Sequence, residues 1–142
     1  MSSETRFSAA PLPGTLLAPV SKTALWAGYV MSALPALLFL VSGVMKLVKS
    51  EDVEKGFRDL GWDQSLALAL AIVEIGCTVI YLIPRTAVLG AILLTGYLGG
   101  ATATHVRVGE PFYTPILLGV LVWGGLYLRD ARLRALLPLR KF

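Results

Sequence analysis

Apolar residues run from Leu25 to Val48 with Lys46 as the one charge among them. About 20 residues at 1.5 Å each cross the roughly 30 Å hydrocarbon core of a bilayer, so this run predicts a first membrane span. Pro35 within it is tolerated as a kink because neighbouring groups re-satisfy the freed carbonyl. Further apolar runs at 65–83, 87–104 and 114–128 predict three more spans. The second closes on Pro84 and Arg85, and the turn before the third is too short for anything but antiparallel neighbours. Thr114 and Pro115 suit the N-cap and first position of the fourth helix, which carries on amphipathically through Arg134 before Pro138.

The pattern changes between the first two runs. Ser50 offers an N-cap, Glu51 and Asp52 sit where the helix dipole favours anions, and Val53, Phe57 and Leu60 follow at helical spacing. A short amphipathic helix at the membrane interface is expected, stopped by Gly61, with Trp62 at headgroup level. The expected fold is therefore all-α: an integral membrane antiparallel four-helix bundle at 25–134. It is flanked by a flexible or surface-lying tail at 1–24, with Pro11, Pro13, Gly14 and Pro19, and by a basic tail at 135–142. The N-terminal stretch lacks the charged start and continuous apolar core of a signal peptide.

Composition supports lipid as the solvent. Hydrophobic residues make up 56% of the chain and charged residues 15%, well under the roughly 25% of soluble domains. Eight Lys and Arg fall on the side of the termini (Arg6, Lys22, Arg85, Arg129, Arg132, Arg134, Arg140, Lys141) and five on the other (Lys46, Lys49, Lys55, Arg58, Arg107). The basicity thus reads as topology, with both termini cytoplasmic, and not as nucleic-acid binding. Trp26, Tyr29, Tyr81, Trp123 and Tyr127 toward one end, and Trp62, Phe112 and Tyr113 toward the other, make two aromatic belts. Tyr97, mid-span, is placed to hydrogen-bond in the core.

Candidate chemistry centres on Glu74. A carboxyl group near the middle of a span costs roughly 2.5 to 3.5 kcal/mol on insertion scales and needs compensation. Thr78 and Tyr81 continue its face. The first helix presents Ser32, Pro35, Phe39, Ser42 and Lys46 at alternating intervals of three and four, and the flexible Lys46 stem can reach Glu74. His105, Arg107 and Glu110 close the third span on the same side. The candidate ligand site is Lys46, Glu74, Thr78, His105 and Arg107, with Glu74 handling protons. The ordinary alternatives are interface anchoring for Lys46, His105 and Arg107, and a hydrogen-bonded helix glue for Glu74. Gly43, Gly76, Gly96 and Gly100 are expected at close helix contacts, the last two as G-x-x-x-G. A single cysteine, Cys77, excludes an intrachain disulfide and C-x-x-C chemistry. One histidine cannot build a multi-histidine metal site or bis-histidine haem ligation, so no metal is expected.

The order Ser42-Gly43-Val44-Met45-Lys46-Leu47, an amphipathic loop, Ala71-Ile72-Val73-Glu74-Ile75-Gly76, then Ala103-Thr104-His105-Val106-Arg107 before Gly109-Glu110-Pro111 resembles the DoxX-like family of small four-helix membrane proteins over about Leu25–Leu128. The resemblance implies a bundle in a bacterial inner membrane, with relatives tied to quinone-coupled oxidation and to membrane oxidoreductase complexes. The leading expectation is a redox-associated subunit that binds a quinone, as substrate or ligand, and works with an oxidoreductase partner, with no covalently bound cofactor. The alternative is a non-catalytic adaptor or assembly factor that packs on a partner protein, or on a second copy, through the glycine face and basic tail. A lipid-modifying enzyme using Glu74 as acid or base stands third, and whether the chain itself catalyses a reaction stays open at this level.

Overall fold

The computed structural model describes residues 19–137; the expected N-terminal tail up to residue 18 and the tail residues 138–142 lie outside them. Among the described residues the elements are α1 (Lys22–Leu47), α2 (Glu51–Asp59), a single 3-10 turn (Gln64–Leu66), α3 (Ala67–Leu82), α4 (Ala87–Val108), α5 (Tyr113–Arg129) and α6 (Ala131–Leu136).

Local chemistry sets each boundary. α1 starts three residues before the apolar run because Ser21 accepts a hydrogen bond from the Ala24 amide at 3.3 Å, a side-chain N-cap. Ser50 caps α2 in the same way through Val53. Asp63 opens the 3-10 turn by accepting from the Ser65 amide at 2.7 Å, and hydrogen bonding with Ser65, through its side chain first and its amide second, holds the carboxyl below the usual carboxylate range. α4 continues to Val108, four residues beyond expectation, and ends at Gly109, whose φ of 76° is the left-handed conformation glycine adopts freely.

The expected unbroken fourth helix through Arg134 is corrected. The chain leaves helical geometry at Asp130 (φ −112°, ψ 107°), whose carboxylate accepts from the Arg132 and Leu133 amides and so starts α6. Arg134 then reaches back to the Tyr127 carbonyl at 2.7 Å and to the Leu128 carbonyl, satisfying acceptors left at the end of α5.

α1 packs on α3 and α5, and α4 packs on the same two helices. Glycines permit the close approaches, Gly125 against the Ser32 backbone among them. A Cβ on Gly28 would sit 2.8 Å from the Gly125 carbonyl oxygen, one on Gly43 would collide with Ile75, and one on Gly90 would collide with the Tyr81 backbone. Of the four glycines expected at helix contacts, only Gly43 serves that role among the described residues. A Cβ on Gly76, Gly96 or Gly100 meets nothing within 4 Å, because the spacing of small residues does not determine which way their face turns.

Polarity runs opposite to that of a soluble protein. Trp26 is 72% exposed and Leu37 and Ile72 are 61% exposed, whereas Ser32, Glu74 and Thr78 are buried. Hydroxyls are satisfied inside: Thr78 donates to the Glu74 carbonyl, Thr95 to Ala91 and Thr102 to Leu98, each one turn back. Tyr81 follows the inward face it shares with Glu74 and Thr78, and not the aromatic belt that its depth also suggests. It is fully buried, with its hydroxyl 2.9 Å from the Val122 carbonyl oxygen and 2.8 Å from Ser32 Oγ, so its ring fills the core and its oxygen stays paired.

α1, the segment Gln64–Leu82 and α4 are each long and apolar enough to cross a membrane. α5, with 17 residues, reaches about 26 Å. The chain is a membrane protein built from these apolar helices.

Candidate functional site

The last turns of α1 and α4 and the first turns of α3 and α5 surround a cavity of about 650 Å³. Its walls are mainly apolar, with Leu70, Leu98, Pro115 and Leu118 among them, and α2 and the segment after it contribute Phe57, Leu60 and Trp62. Phe57 is the one buried residue of α2. That segment is tied down at both sides: Arg107 donates to the Leu60 carbonyl at 2.6 Å, beside the positive-φ turn at Gly61, and Gln64 donates to the Glu54 carbonyl at 2.8 Å.

Lys46 and Ser42 supply the polar end of the wall. Lys46 Nζ lies 2.8 Å from Glu74 Oε2 and 2.6 Å from Ser42 Oγ, and Ser42 Oγ is 3.2 Å from the same carboxylate oxygen. The three groups close a triangle. Side-chain exposure is 13% for Lys46 and 4% for Glu74, so the ion pair is held away from water with each charge partnered, the condition for keeping charges in a low-dielectric interior. Lys46 stands between Glu74 and the cavity. Its ammonium has three donors, and the two bonds within the triangle leave the third for an acceptor in the cavity.

His105 joins the wall from α4. Its Nδ1 lies 3.2 Å from Glu110 Oε2, a contact made because the chain turns back at Gly109 and the Glu110 amide bonds the His105 carbonyl at 3.0 Å. Tyr97 also lines the cavity and lies within electrostatic reach of the Glu74 carboxylate.

The sequence-derived site thus divides. Lys46 and His105 reach the cavity, and Glu74 stands behind Lys46. Thr78 does not line the cavity, because its hydroxyl is spent on the backbone of α3 and its side chain is fully buried. Arg107 is exposed and fastens the cover instead of facing the cavity. Gly96 and Gly100 line the cavity and give it room. Sequence reasoning left Ser42 and Tyr97 outside the site and did not foresee the apolar cover. The helical spacing of Phe57 and Leu60 was the available signal, but it could not say what they face. Among the described residues no group of His, Cys, Asp and Glu is placed to hold a metal ion.

A buried Lys–Glu pair at the edge of an apolar chamber between membrane helices defines a helical membrane protein with an internal polar site. The chain belongs to the DoxX-like family, whose sequence profile matches residues 30–125. No curated protein and no solved structure matches the chain.

Proposed function

We propose that the cavity takes a small, mostly apolar molecule with a polar carbonyl head, a quinone being the chemistry that fits best, and that the chain serves a redox partner in the membrane. What carries this reading is the triangle of Lys46, Glu74 and Ser42 at one end of a mainly apolar chamber. Small-molecule sites have this form, roughly 300–1,000 Å³ of apolar lining with a few convergent polar groups. Lys46 Nζ donates its remaining N–H to a carbonyl oxygen of the bound molecule, while Glu74 holds the ammonium in position and neutralises it. Reduction of a quinone to the quinol takes two electrons and two protons. The electrons come from an oxidoreductase partner, one proton passes from Lys46 Nζ with Glu74 behind it, and the second comes from water by way of His105 in the cavity wall.

The helices are read as an antiparallel four-helix bundle, supported by the pairing of Ser32 early in α1 with Tyr81 late in α3 and of Lys46 late in α1 with Glu74 midway along α3. The family resemblance implies a bacterial inner membrane, and the eight-to-five division of Lys and Arg favours both termini cytoplasmic there, which puts the cavity toward the outer face.

The test is mass spectrometry of small molecules that co-purify with the wild-type chain and with Glu74→Gln in one mild detergent. Quinone enrichment is expected on the wild type and its loss, by roughly tenfold or more, on the variant, the scale of a lost charge-assisted contact. Equal quinone content in both would reject the reading, and Glu74→Gln keeps the side-chain volume, so insertion is expected to be unchanged.

A further inference from the structure

A second chamber of about 560 Å³ lies at the opposite end of the helices and includes Pro19, Leu25, Tyr29, Ala87, Arg129 and Arg132 in its walls. Arg129 is its unusual member. The guanidinium carbon lies 5.6 Å from the Tyr29 ring centre and 5.4 Å from that of Tyr81, near enough for both rings to attract the cation. Tyr81 cannot swing away, since its hydroxyl is bonded to Ser32 and Val122. Gly28 lets the backbone of α5 come close: a Cβ there would stand 3.0 Å from Arg129 N.

Contact with the rings leaves the edge of the guanidinium unused. Arg129 Nε and Nη2 are buried and have no hydrogen-bond partner among the described residues. These two nitrogens carry parallel N–H groups on one side of the guanidinium, the fork that grips two oxygens of a phosphate or carboxylate. The nearest candidate acceptor in sequence, Asp130, also lines the chamber, but its Oδ1 accepts from the α6 amides and it makes no hydrogen bond or ion pair to Arg129 among the described residues. Arg134, a neighbour of the same charge, is occupied by two α5 carbonyls. α4 begins in this wall at Ala87 without a side-chain cap, so the positive end of its dipole adds to the field.

We propose that Arg129 is the centre of an oxyanion site, and that its occupant is the phosphate of an anionic phospholipid. Turning on its flexible stem, the fork meets a phosphate that enters the chamber, Arg132 in the same wall adds charge, and the apolar residues Pro19 and Leu25 accept the start of the acyl chains. A phospholipid is favoured over free phosphate because the chamber lies at the end of the apolar spans, where headgroups sit, and combines charge with apolar wall. The site is separate from the Lys46–Glu74 cavity and does not depend on it.

Native mass spectrometry from mild detergent, with phosphatidylglycerol or phosphatidylcholine added, reads this directly. The wild type and the control Arg58→Gln, exposed on α2 at the opposite end of the helices, should retain phosphatidylglycerol in preference to phosphatidylcholine, by about tenfold in the wild type as befits one bidentate charged contact. Arg129→Gln should lose the preference. Arg129→Lys, which keeps the charge without the fork, should fall between, and it decides the matter where the glutamine variant does not fold. An Arg129-dependent adduct with inorganic phosphate, in place of the lipid preference, would support the oxyanion site with a soluble occupant. Lipid preference unchanged in Arg129→Gln, or a lysine variant indistinguishable from wild type, would overturn the proposal, as would a wild type that retains neither anion.

Discussion

Replacing Glu74 with leucine is expected to cost about 3 kcal/mol of unfolding free energy, the low end of the range for removing one partner from a buried ion pair. Lys46 would be left with Ser42 as its only side-chain partner and with 13% of its surface exposed, too little for its ammonium to recover full hydration. Adding Lys46→Met to the same chain should restore most of the loss, because two apolar side chains of similar volume need no charge compensation in that space. Reversible unfolding in mixed micelles of the wild type, both single variants and the double variant closes the cycle. A double variant as unstable as the sum of its parts would mean that the two residues do not act as a pair. Recovery would mean that the pair is dispensable for stability, and that its place beside the cavity answers to ligand chemistry.

Gly90→Ala is expected to be the most damaging single-methyl change in the chain, at about 1–3 kcal/mol or more for overpacking against atoms that cannot move aside. The added carbon would meet the Cα and N of Tyr81, backbone atoms of α3. Those atoms are fixed by the buried Tyr81 ring and its two hydrogen bonds. Gly96→Ala is the contrast. It lines the cavity and meets nothing within 4 Å, so alanine should be tolerated and can gain up to about 1 kcal/mol of helix propensity. Thermal unfolding of both variants, followed by circular dichroism, would reveal the reverse order if α3 and α4 were not packed at Gly90.

The membrane-spanning character is legible in the sequence, and a Lys46–Glu74 contact is legible there only as a pairing that the reach of the Lys46 stem makes possible, for a physical reason. Apolar length relates directly to bilayer thickness, and a charge inside a span must find an opposite charge at similar depth. Rotation of each helix about its axis was less legible. The pairing of glycines 96 and 100 invites a packed interface, yet Gly28, Gly90 and Gly125, which lie outside that pairing, are pressed against backbone. For Tyr81 its depth near a span end suggests an interface aromatic and its helical register with Glu74 and Thr78 an inward one, and the register decides: the ring lies in the core. Arg129 was hidden among the other terminal arginines, and only the placement of two tyrosine rings distinguishes it. The cover over the cavity depends on the Arg107–Leu60 contact across 47 residues, which no local pattern encodes.

Whether a quinone occupies the cavity is decided by light-activated labelling with a quinone that carries a small diazirine, with the labelled peptides then mapped. Labels are expected on the cavity lining, at Tyr97, Leu98 and Leu118 and on the cover at Phe57 or Trp62, and unlabelled quinone should suppress them. Labels scattered over lipid-facing Leu37, Ile72 and Ile92 and unaffected by competitor would contradict a quinone site in the cavity.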